Sequence, residues 1–401
     1  MRVALVCGTY APERDGVADY VRRLAEELRA VDVEVVVAAR EPDPDHDPEH
    51  DAGAGASDAV GVTPVWTPRN LPGAARALDA LNADLVHVQW APSAYGWSGA
   101  VGWLPALLRT PVVTTLHEYG WWGWPARVPS GVWPVLERTG RYDRESGLLG
   151  PRSRALVVTN EGHADVVRTR LHRDPTLIPI GPNVPGPGLD AAGARDRVRT
   201  RLGLADGVPL LVFFGFVHPV KGVRELIDAT ALLRDAGVDV HVEVAGGFAS
   251  LALPGEEARS FRAEVEQRVA DRGVGDRVHL TGWVAGAEVS ELLSAADAVV
   301  LPFTAGVTTK SGSLLAALEH GAPVLATVAD ERDPALVDGV TVLDVGARRD
   351  PRAIAEAVLR LLDEPVLAAT VARGGQELAG RRGWPAIAAM HRAVYTSVLD
   401  R

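Results

Sequence analysis

The sequence has little sulfur. Among its 401 residues there is one cysteine, Cys7, and there are two methionines. Cys7 falls inside the first predicted strand. A single cysteine cannot form a disulfide within the chain, so a reducing cytoplasm is the expected compartment.

Long hydrophobic runs are missing, since no stretch approaches the roughly 20 apolar residues that span a bilayer. The N-terminal stretch MRVALVCGTY is apolar but too short for a span, and it lacks a signal-peptide cleavage pattern. We therefore expect no transmembrane segment and interpret this stretch as a strand. Peripheral contact with a membrane surface stays open.

An excess of positive charge is also missing. The chain has 41 lysines and arginines against 52 aspartates and glutamates, which gives a formal net charge of −11 and a pI near 5.5. Nucleic acid is therefore not expected as a partner, because phosphate backbones require clustered cations. A phosphate-bearing small molecule is not excluded, since it needs only a local positive potential.

The patterns of other enzyme classes do not occur. There is no HExxH and no paired CxxC, and Asp43, Asp45 and Asp47 fall in an acidic, Pro/Gly-rich stretch (residues 41–58) typical of a solvated loop. The sequence therefore predicts no metal site. A Gly-x-Ser-x-Gly elbow, a Walker lysine loop and a GxGxxG turn are missing too, which argues against a hydrolase, a kinase and an NAD-dependent dehydrogenase.

What is present is an alternation of apolar strands and helices in both halves, the pattern of parallel sheets covered on both faces. The length suggests two domains, and the Pro/Gly-rich stretch IGPNVPGPG (residues 180–188) is the predicted linker. We expect an α/β fold with domains at residues 1–183 and 190–384. The last helix (385–401) has one apolar stripe and is expected to pack back on the first domain.

The most informative stretch is Asp297–Thr327. A buried strand leads through a loop of small and polar residues into a helix, and a second apolar strand follows. Such a loop directs backbone N–H groups above the sheet, and the helix N-terminus adds partial positive charge. This arrangement is typical of a phosphate site, although an ordinary strand–helix–strand connection has the same pattern.

Three other loops follow predicted strands, at the edge where ligands bind in such sheets. Gly8–Gly16 is either a turn that approaches a ligand or a plain connection. His117 is placed to bond a sugar hydroxyl or a developing charge, or else is a structural histidine. Lys221 follows Gly215 and precedes a helix, where its charge is mildly unfavourable. That cost favours a phosphate contact over a solvated side chain.

Tryptophan is clustered. Seven of the ten tryptophans lie between Trp90 and Trp133, including Trp121, Trp122 and Trp124. Core packing is one interpretation. Because WWGW follows Gly120 in a predicted loop, we favour a wall that stacks on a flat or sugar-like acceptor.

Together the motifs resemble the GT-B glycosyltransferases of the large retaining family four. The matching segments follow in order along nearly the whole chain: Tyr10-Ala11-Pro12, Asp15-Gly16-Val17, ADLVHVQW, PVVTTLHEY, LIPIGPN, FFGFVHPVKG, LTGW, ADAVVLPF and SGSLLAALEHGAPVLAT. The resemblance implies two Rossmann-like domains with an interdomain cleft, the donor mainly on the second domain and the acceptor on the first.

The resemblance also implies roles for single residues. His117 would contact the transferred sugar and Lys221 the donor diphosphate, so these two are the predicted catalytic residues. The predicted donor-binding residues are Gly16, Gly215, His218, Lys221, Gly282, Trp283, Lys310, Ser311, Gly312, Ser313 and Leu314. The predicted acceptor-binding residues are Asp15, Tyr20, Trp90, Glu118, Tyr119, Trp121 and Trp122.

The sequence departs from the family at three positions. Phe216 stands where an arginine is usual, and Thr308 and Ala316 stand where two glutamates are usual. The second glutamate commonly binds the donor ribose, so ribose recognition here needs another group. Two hypotheses are that Lys310 replaces the missing positive charge and that Glu319 replaces the carboxylate.

The implied function is transfer of a sugar from a nucleoside-diphosphate sugar to a small-molecule or glycan acceptor, with retention and without a metal or other cofactor. Two alternatives stay open: a variant transferase with an unusual donor or a sulfur or nitrogen nucleophile, and a catalytically silent subunit. High Ala, Arg and Gly usage indicates a GC-rich bacterial genome, in which natural-product tailoring and glycan synthesis both fit.

Overall fold

The computed structural model divides the chain into two compact units. Unit 1 comprises Met1–Ile180 and Trp384–Arg401, and unit 2 comprises Gly181–Gly383. The residues described are 1–10, 16–42, 58–123, 130–184, 186–188, 190–248, 253, 255–330 and 333–400, with the backbone alone at 191 and 192. Asp43, Asp45 and Asp47 lie outside them. The predicted fold class, two α/β domains with parallel sheets, is confirmed.

Unit 1 is built on a seven-stranded parallel sheet with the order β3-β2-β1-β4-β5-β6-β7. The strands are β1 (Arg2–Val6), β2 (Glu34–Arg40), β3 (Val60–Thr63), β4 (Leu85–Trp90), β5 (Val112–Leu116), β6 (Ala155–Val158) and β7 (Thr176–Leu177). β4 and β5 are buried at every position. Both faces of these strands are covered, so even the polar side chains that they carry, such as His87 and Gln89 of β4, are buried.

The helices of unit 1 pack on this sheet or on one another. They are α1 (Gly16–Ala30), α2 (Leu71–Asp79), α3 (Leu104–Leu107), α4 (Trp133–Arg138), α5 (Leu149–Arg152), α6 (Glu161–Leu171) and the C-terminal helix, here numbered α14 (Trp384–Leu399). α1 buries Val17, Val21, Leu24 and Leu28, the spacing of one helical face. α14 packs against α1, where the rings of Tyr20 and Trp384 are 5.2 Å apart.

Unit 2 repeats this architecture with a six-stranded parallel sheet of order β10-β9-β8-β11-β12-β13. Its strands are β8 (Leu210–Phe214), β9 (His241–Ala245), β10 (Val278–Gly282), β11 (Ala298–Leu301), β12 (Val324–Ala326) and β13 (Leu343–Asp344). Its helices are α7 (Ala191–Arg201), α8 (Val223–Asp235), α9 (Gly255–Arg272), α10 (Gly286–Ala295), α11 (Gly312–Glu319), α12 (Pro351–Asp363) and α13 (Pro365–Gly380).

Strand order fixes where the loops meet. In unit 1, β4 lies between β1 and β5, and in unit 2, β8 and β11 are neighbours. The loops that leave their carboxyl ends therefore emerge side by side, which is where ligands bind in open α/β sheets. Each unit has its own hydrophobic core, made from its own residues.

Candidate functional site

His117 stands directly after β5, at the carboxyl edge of the unit 1 sheet. Its backbone N–H donates to the carbonyl of Trp90 in β4 (2.9 Å). Its Nε2 lies 2.9 Å from Oε1 of Gln89, a fully buried residue near the end of β4. Tyr20 of α1 packs edge-on against the ring, with 4.8 Å between centroids. The half-buried imidazole is therefore held by groups from two secondary-structure elements, β4 and α1.

Buried polar side chains continue beneath His117 on the same sheet face. His87 precedes Gln89 by two positions on β4, so both side chains share that face. The Nε2 of His87 lies 2.8 Å from Thr115 Oγ1, and its Nδ1 lies 2.7 Å from the hydroxyl of Tyr395. Both nitrogens of this histidine are thus hydrogen-bonded in the core.

The C-terminal helix contributes to this buried set. Tyr395 belongs to α14, and so does His391, whose Nε2 lies 2.9 Å from the hydroxyl of Tyr20. Since Tyr20 also contacts His117, a chain of ring contacts and hydrogen bonds joins the predicted catalytic histidine to the end of the sequence.

Burial keeps these histidines neutral. It lowers the pKa of His117 to about 3, with His163 as a smaller cause, and it lowers the pKa of His391 to about 3, with His117 as the smaller cause. Burial also holds the pKa of His87 well below its usual value and raises that of the Tyr20 hydroxyl. Hydrogen bonds between uncharged groups therefore hold this face together.

The loop after His117 is anchored by a carboxylate. The N–H of Gly120 donates to Glu145 (2.8 Å), and Arg170 of α6 pairs with the other oxygen of Glu145 (2.9 Å). The guanidinium of Arg170 also lies over the ring of buried Tyr119, 4.9 Å from its centroid. These contacts fix the backbone of a loop that carries several predicted acceptor residues.

The tryptophan cluster has an exposed and a buried part. Trp121 and Trp97 are 62% and 45% exposed, and their rings meet edge-on at 6.0 Å. Half-buried Trp122 lies 6.2 Å from both Trp97 and Trp90. Trp90 is fully buried against Tyr95, so it supports the cluster from the core and presents no face to an acceptor.

Trp97 has an unusual backbone. Its φ is +58°, in the left-handed region that bulky residues rarely adopt. Such a conformation costs on the order of 1–2 kcal/mol and persists only where the surroundings impose it. The sequence reasoning did not single out this residue.

Three further predicted residues of unit 1 are Asp15, Gly16 and Glu118. Asp15 lies outside the described residues. Gly16 is exposed at the first position of α1, and Glu118 is half-buried beside His117.

In unit 2, α11 begins as the sequence pattern predicts. Ser311 is the N-cap, and its hydroxyl accepts the N–H of Leu314 (3.3 Å). The side chain of Leu314 is buried in the core. Because the backbone N–H of Leu314 donates to Ser311, Leu314 offers no free amide to a phosphate. The predicted phosphate contact is then left to the amides of Gly312 and Ser313, which have no partner within the helix.

Gly215 brings the loop after β8 against this helix start. Its φ is +135°, and a Cβ at this position would lie 2.5 Å from the hydroxyl of Ser313. The backbone angle favours glycine here, and a larger residue would also displace the Ser313 hydroxyl. Gly215 and Ser313, far apart in sequence, are thus adjacent at the carboxyl edge of the sheet.

Lys221 lies in the same loop, with its Nζ 3.7 Å from the ring centroid of Phe303. No carboxylate of the described residues pairs with it, and burial lowers the pKa of its ammonium to about 8. The next residue, Gly222, has φ +73°, and a Cβ there would meet the Pro302 carbonyl at 2.0 Å. The loop can therefore carry Lys221 against the loop after β11, where no carboxylate from the described part of the chain balances its charge.

The loop before α11 is held by Asp333. One carboxylate oxygen accepts the N–H (2.8 Å) and the hydroxyl (2.6 Å) of Thr309, and the other accepts the N–H of Ala335 (3.1 Å). Burial would raise the pKa of Asp333, but these hydrogen bonds outweigh it and the pKa is lower than usual. No local sequence pattern points to Asp333, because it lies 24 positions along the chain from Thr309.

The other predicted donor residues lie in neighbouring loops. Lys310 is exposed, and its N–H donates to the hydroxyl of Thr308 (3.4 Å). His218 caps the short helical turn before α8. Gly282 ends β10 with φ +75°, and half-buried Trp283 follows it.

The positions that depart from the family can now be placed. Ala316 is fully buried in α11, and its carbonyl accepts a hydrogen bond from Nδ1 of His320 (2.7 Å). Glu319 lies beside Gly186, where a Cβ would be 3.6 Å from the carboxylate. Phe216 is half-buried in the loop after β8. The replacement roles of Glu319 and Lys310 stay predictions.

Within the described part of the chain, no three His, Cys, Asp or Glu side chains are grouped so as to hold a metal ion. No described helix is long and apolar enough to cross a bilayer.

Comparison with known families decides the class. A family described as "Glycosyl transferase 4-like domain" matches residues 15–183, and one described as "Glycosyl transferases group 1" matches residues 208–364. The chain belongs to the GT-B glycosyltransferases of family-four type. The resemblance inferred from the sequence motifs is thus confirmed, and so is the expectation that the protein is a transferase.

The relatives of this glycosyltransferase include two named activities. The D-inositol 3-phosphate glycosyltransferase of Streptomyces avermitilis is 28% identical over 79% of this chain and 66% of its own length. That of Salinispora arenicola is 29% identical over 92% and 83%. The 2-deoxystreptamine glucosyltransferase of Streptomyces kanamyceticus is 29% identical over 62% of each chain.

Solved structures share the transferase fold. A sucrose-phosphate synthase from Thermosynechococcus elongatus has a TM-score of 0.73 at 21% identity and covers 100% of this chain and 99% of its own. HepE from Anabaena, in complex with UDP-glucose, has a TM-score of 0.70 at 17% identity and covers 99% and 100%. At these identities the likeness shows the fold.

The structure of the transferase brings together two sets of predicted residues. Tyr20 and His117 are in contact in unit 1, and the loops of Gly215, Lys221 and Ser313 are adjacent in unit 2. The polar residues that hold these sets were missed: Gln89, Glu145, Arg170, Asp333 and His391. One signal was available, since Gln89 and His391 are polar residues within otherwise apolar runs.

Proposed function

We propose that this glycosyltransferase moves a sugar from a nucleoside-diphosphate sugar to a hydroxyl of a small-molecule or glycan acceptor, with retention of configuration and without a metal ion. The observation that carries the proposal is Lys221. It is a partly buried cation whose charge contacts an aromatic ring and, among the described residues, no carboxylate. Such a group gains an anionic partner when a diphosphate binds.

The donor diphosphate is assigned to unit 2. Lys221 supplies a point charge, and the amides of Gly312 and Ser313 supply oriented dipoles at a helix start. The leaving group is itself a diphosphate, so these groups stabilise the charge that develops as the sugar leaves. HepE, which shares the fold, has been solved with UDP and glucose, which supports a sugar nucleotide as the donor.

The acceptor is assigned to unit 1, where we propose a polyhydroxylated ring. Two named relatives act on inositol phosphate and on 2-deoxystreptamine, both cyclitols. The exposed rings of Trp97 and Trp121 offer flat apolar faces of the kind that stack on such rings. His117 is assigned to a hydroxyl of the transferred sugar, and the leaving phosphate accepts the acceptor proton, as retention without a side-chain base requires.

The test is a panel of uridine, guanosine, adenosine and thymidine diphosphate sugars with inositol phosphate and aminocyclitol acceptors. Release of nucleoside diphosphate is followed with and without EDTA, and NMR gives the anomeric configuration of the product. We expect one donor to turn over at equal rates in both conditions, with retention. Turnover that stops in EDTA would contradict the proposed metal independence. If no donor were turned over, the proposal that the protein transfers sugars would be wrong.

Lys221→Met tests the carrying observation. We expect turnover to fall by roughly 10²–10³-fold, as when one donor to a developing anion is removed. Arg224→Gln is the matched control, because Arg224 is a cation on α8 that is paired with Glu264 (2.5 Å). An equal loss in both variants would mean that Lys221 acts only through the fold.

Lysine is rare enough to be observed directly. Lys221 and Lys310 are the two lysines of the sequence. Reductive methylation with ¹³C therefore labels these two and the N-terminus, and the three signals are resolved by NMR. We expect one lysine signal to titrate near pH 8 and to move upward when nucleoside diphosphate binds, because the anion stabilises the ammonium. The assignment would be contradicted if neither lysine signal titrated near pH 8 in the free protein and neither moved when nucleoside diphosphate was added.

A second candidate is a silent GT-B subunit that binds or activates a partner transferase. Thr308 and Ala316, in place of the family's glutamates, favour it. Calorimetric titration with uridine, guanosine, adenosine and thymidine diphosphates separates the two. The enzyme binds at least one of them and the Lys221→Met variant binds it more weakly, whereas a silent subunit binds none.

A further inference from the structure

Gln89 is in direct hydrogen-bond contact with the imidazole of His117. It sits at the penultimate position of β4 and is fully buried. Its Oε1 lies 2.9 Å from His117 Nε2, while its Nε2 has no partner among the described residues. A buried amide whose hydrogen bond goes to a histidine ring nitrogen can determine which of the two ring nitrogens carries the proton.

The register of the sheet makes this contact rigid. β4 and β5 pair with Gln89 opposite Thr115, so His117 follows on the same face as Thr115. The backbone N–H of His117 is held by Trp90, the neighbour of Gln89. Main chain and side chain of His117 are thus both fixed by the end of one strand.

We infer that Gln89 is a positioning residue that holds the imidazole of His117 in the tautomer protonated at Nε2, and so presents Nδ1 as a hydrogen-bond acceptor. A neutral imidazole carries one N–H. Because Oε1 of glutamine can only accept, that N–H is at Nε2, and Nδ1 keeps its lone pair. The titratable groups around the ring are Tyr20 from α1, His391 from α14, His163 from α6 and His87 from β4.

This tautomer has a chemical use at a site of sugar transfer, and that use rests on the proposed function. Glycosyl transition states carry positive charge on the sugar ring. A protonated histidine would repel that charge, whereas a bare Nδ1 accepts a hydrogen bond from a sugar hydroxyl without adding charge. Gln89 therefore keeps His117 suited to orienting the sugar and unsuited to donating a proton.

The test is ¹⁵N NMR of the full chain labelled in histidine, with the ring signals of His117 assigned from their loss in His117→Gln. We expect a protonated Nε2 and a bare Nδ1 across roughly pH 5 to 8. A protonated Nδ1 in the wild-type protein would overturn the inference, since the Gln89 amide would then be reversed.

Two substitutions of Gln89 act in opposite ways. Gln89→Leu removes the acceptor, so we expect a mixture of tautomers and a kcat reduced about tenfold or more with a smaller change in KM. Gln89→Glu keeps the tautomer but adds a negative charge, which raises the pKa of His117. That variant should be active above the raised pKa and lose activity below it, whereas the wild type stays flat.

Thr114→Val is the matched control. Thr114 lies on β5, with its side chain on the sheet face opposite to that of Gln89 and His117. Its hydroxyl is hydrogen-bonded to Ser153 (2.8 Å), so the change removes a buried hydrogen bond from the strand that leads to His117. We expect its His117 signals to match the wild type and its kcat to stay within about twofold. If Gln89→Leu leaves the tautomer unchanged and affects kcat as Thr114→Val does, Gln89 is merely structural.

The two proposals fail separately. The ring nitrogens of His117 are measured without substrate, so the tautomer is decided even if no donor is turned over. Conversely, turnover with a protonated Nδ1 would retain the transferase and discard the role of Gln89.

Discussion

Lys221 and Trp97 show how single residues of the site depend on their surroundings. Lys221 is one of only two lysines in a chain with 41 lysines and arginines, and burial lowers its pKa to about 8. Trp97 keeps a left-handed backbone while its ring remains 45% exposed. In both cases the local arrangement is unfavourable for the free protein, which is the pattern of residues retained for a ligand.

At this scale we predict the effect of replacing Trp97. Trp97→Gly removes both the ring and the backbone strain, whereas Trp97→Ala removes only the ring. We expect the glycine variant to be more stable than the alanine variant by about 1 kcal/mol, measured by urea unfolding. Both variants should raise the acceptor KM by roughly 2- to 10-fold through lost ring contact. Equal stabilities would contradict the strain, and an unchanged KM would place Trp97 outside the acceptor site.

At the scale of elements, the loop–helix unit around α11 combines local and distant determinants. The helix itself follows from its sequence: Ser311 caps it and Gly321, with φ +70°, follows its end. The conformation of the preceding loop depends on Asp333, which holds Thr309 from beyond β12. The phosphate site that we propose at this helix start would therefore be shaped by a residue outside the motif.

We predict that Asp333→Asn loosens this loop. The variant should lose roughly 1.5–3 kcal/mol of stability at neutral pH, as for hydrogen bonds to a charged group, and its donor KM should rise. The pKa of Asp333 is lowered in the folded state, so its contribution is present above the unfolded value of about 3.9 and is lost as pH falls through the folded value. Wild type and variant should therefore converge in acid.

The measurement is urea unfolding as a function of pH, with Asp330→Asn as control. Asp330 pairs with Arg348 but is exposed, so its replacement should cost under about 1 kcal/mol. A constant difference between wild type and Asp333→Asn at every pH would show that the charge of Asp333 plays no part.

At the scale of the whole molecule, the two units carry different reporter residues. Nine of the ten tryptophans belong to unit 1, the exception being Trp283, and both lysines belong to unit 2. The hydrophobic cores share no residue. Tryptophan fluorescence therefore reports mainly on unit 1, and the lysine methyl signals report on unit 2.

We predict that nucleoside diphosphate stabilises the two units unequally. In urea, the free energy of unfolding reported by the lysine signals should rise by about 2.7 kcal/mol at a ligand concentration of 100 times Kd, while the value reported by fluorescence rises less. Trp283→Phe makes the fluorescence report on unit 1 alone. Two transitions that coincide and shift together would show instead that the chain unfolds as one cooperative body.

Much of the fold could be predicted because its determinants are local. The run Val112–Leu116 predicts a strand from the sequence alone, because successive apolar and β-branched residues are typical of a covered strand, and β5 has those bounds. The short strands β3, β7 and β13 cannot be predicted in this way, because runs of two to four residues carry little periodicity. The roles predicted for the site residues stay predictions, and three of the predicted acceptor rings, those of Trp90, Tyr20 and Tyr119, are buried in the structure.

The sequence by itself determined the family and the α/β class, because those features depend on short motifs and on periodicity along the chain. It also predicted the loops in which a transferase would hold its donor, and that assignment stays a prediction. Only the tertiary structure decided what holds these loops. Gln89 meets His117, Asp333 meets Thr309, and α14 places His391 against Tyr20. Such pairs form where strands and helices from distant parts of the chain are packed together. The burial that shifts the pKa of Lys221 and His117 exists only after that packing.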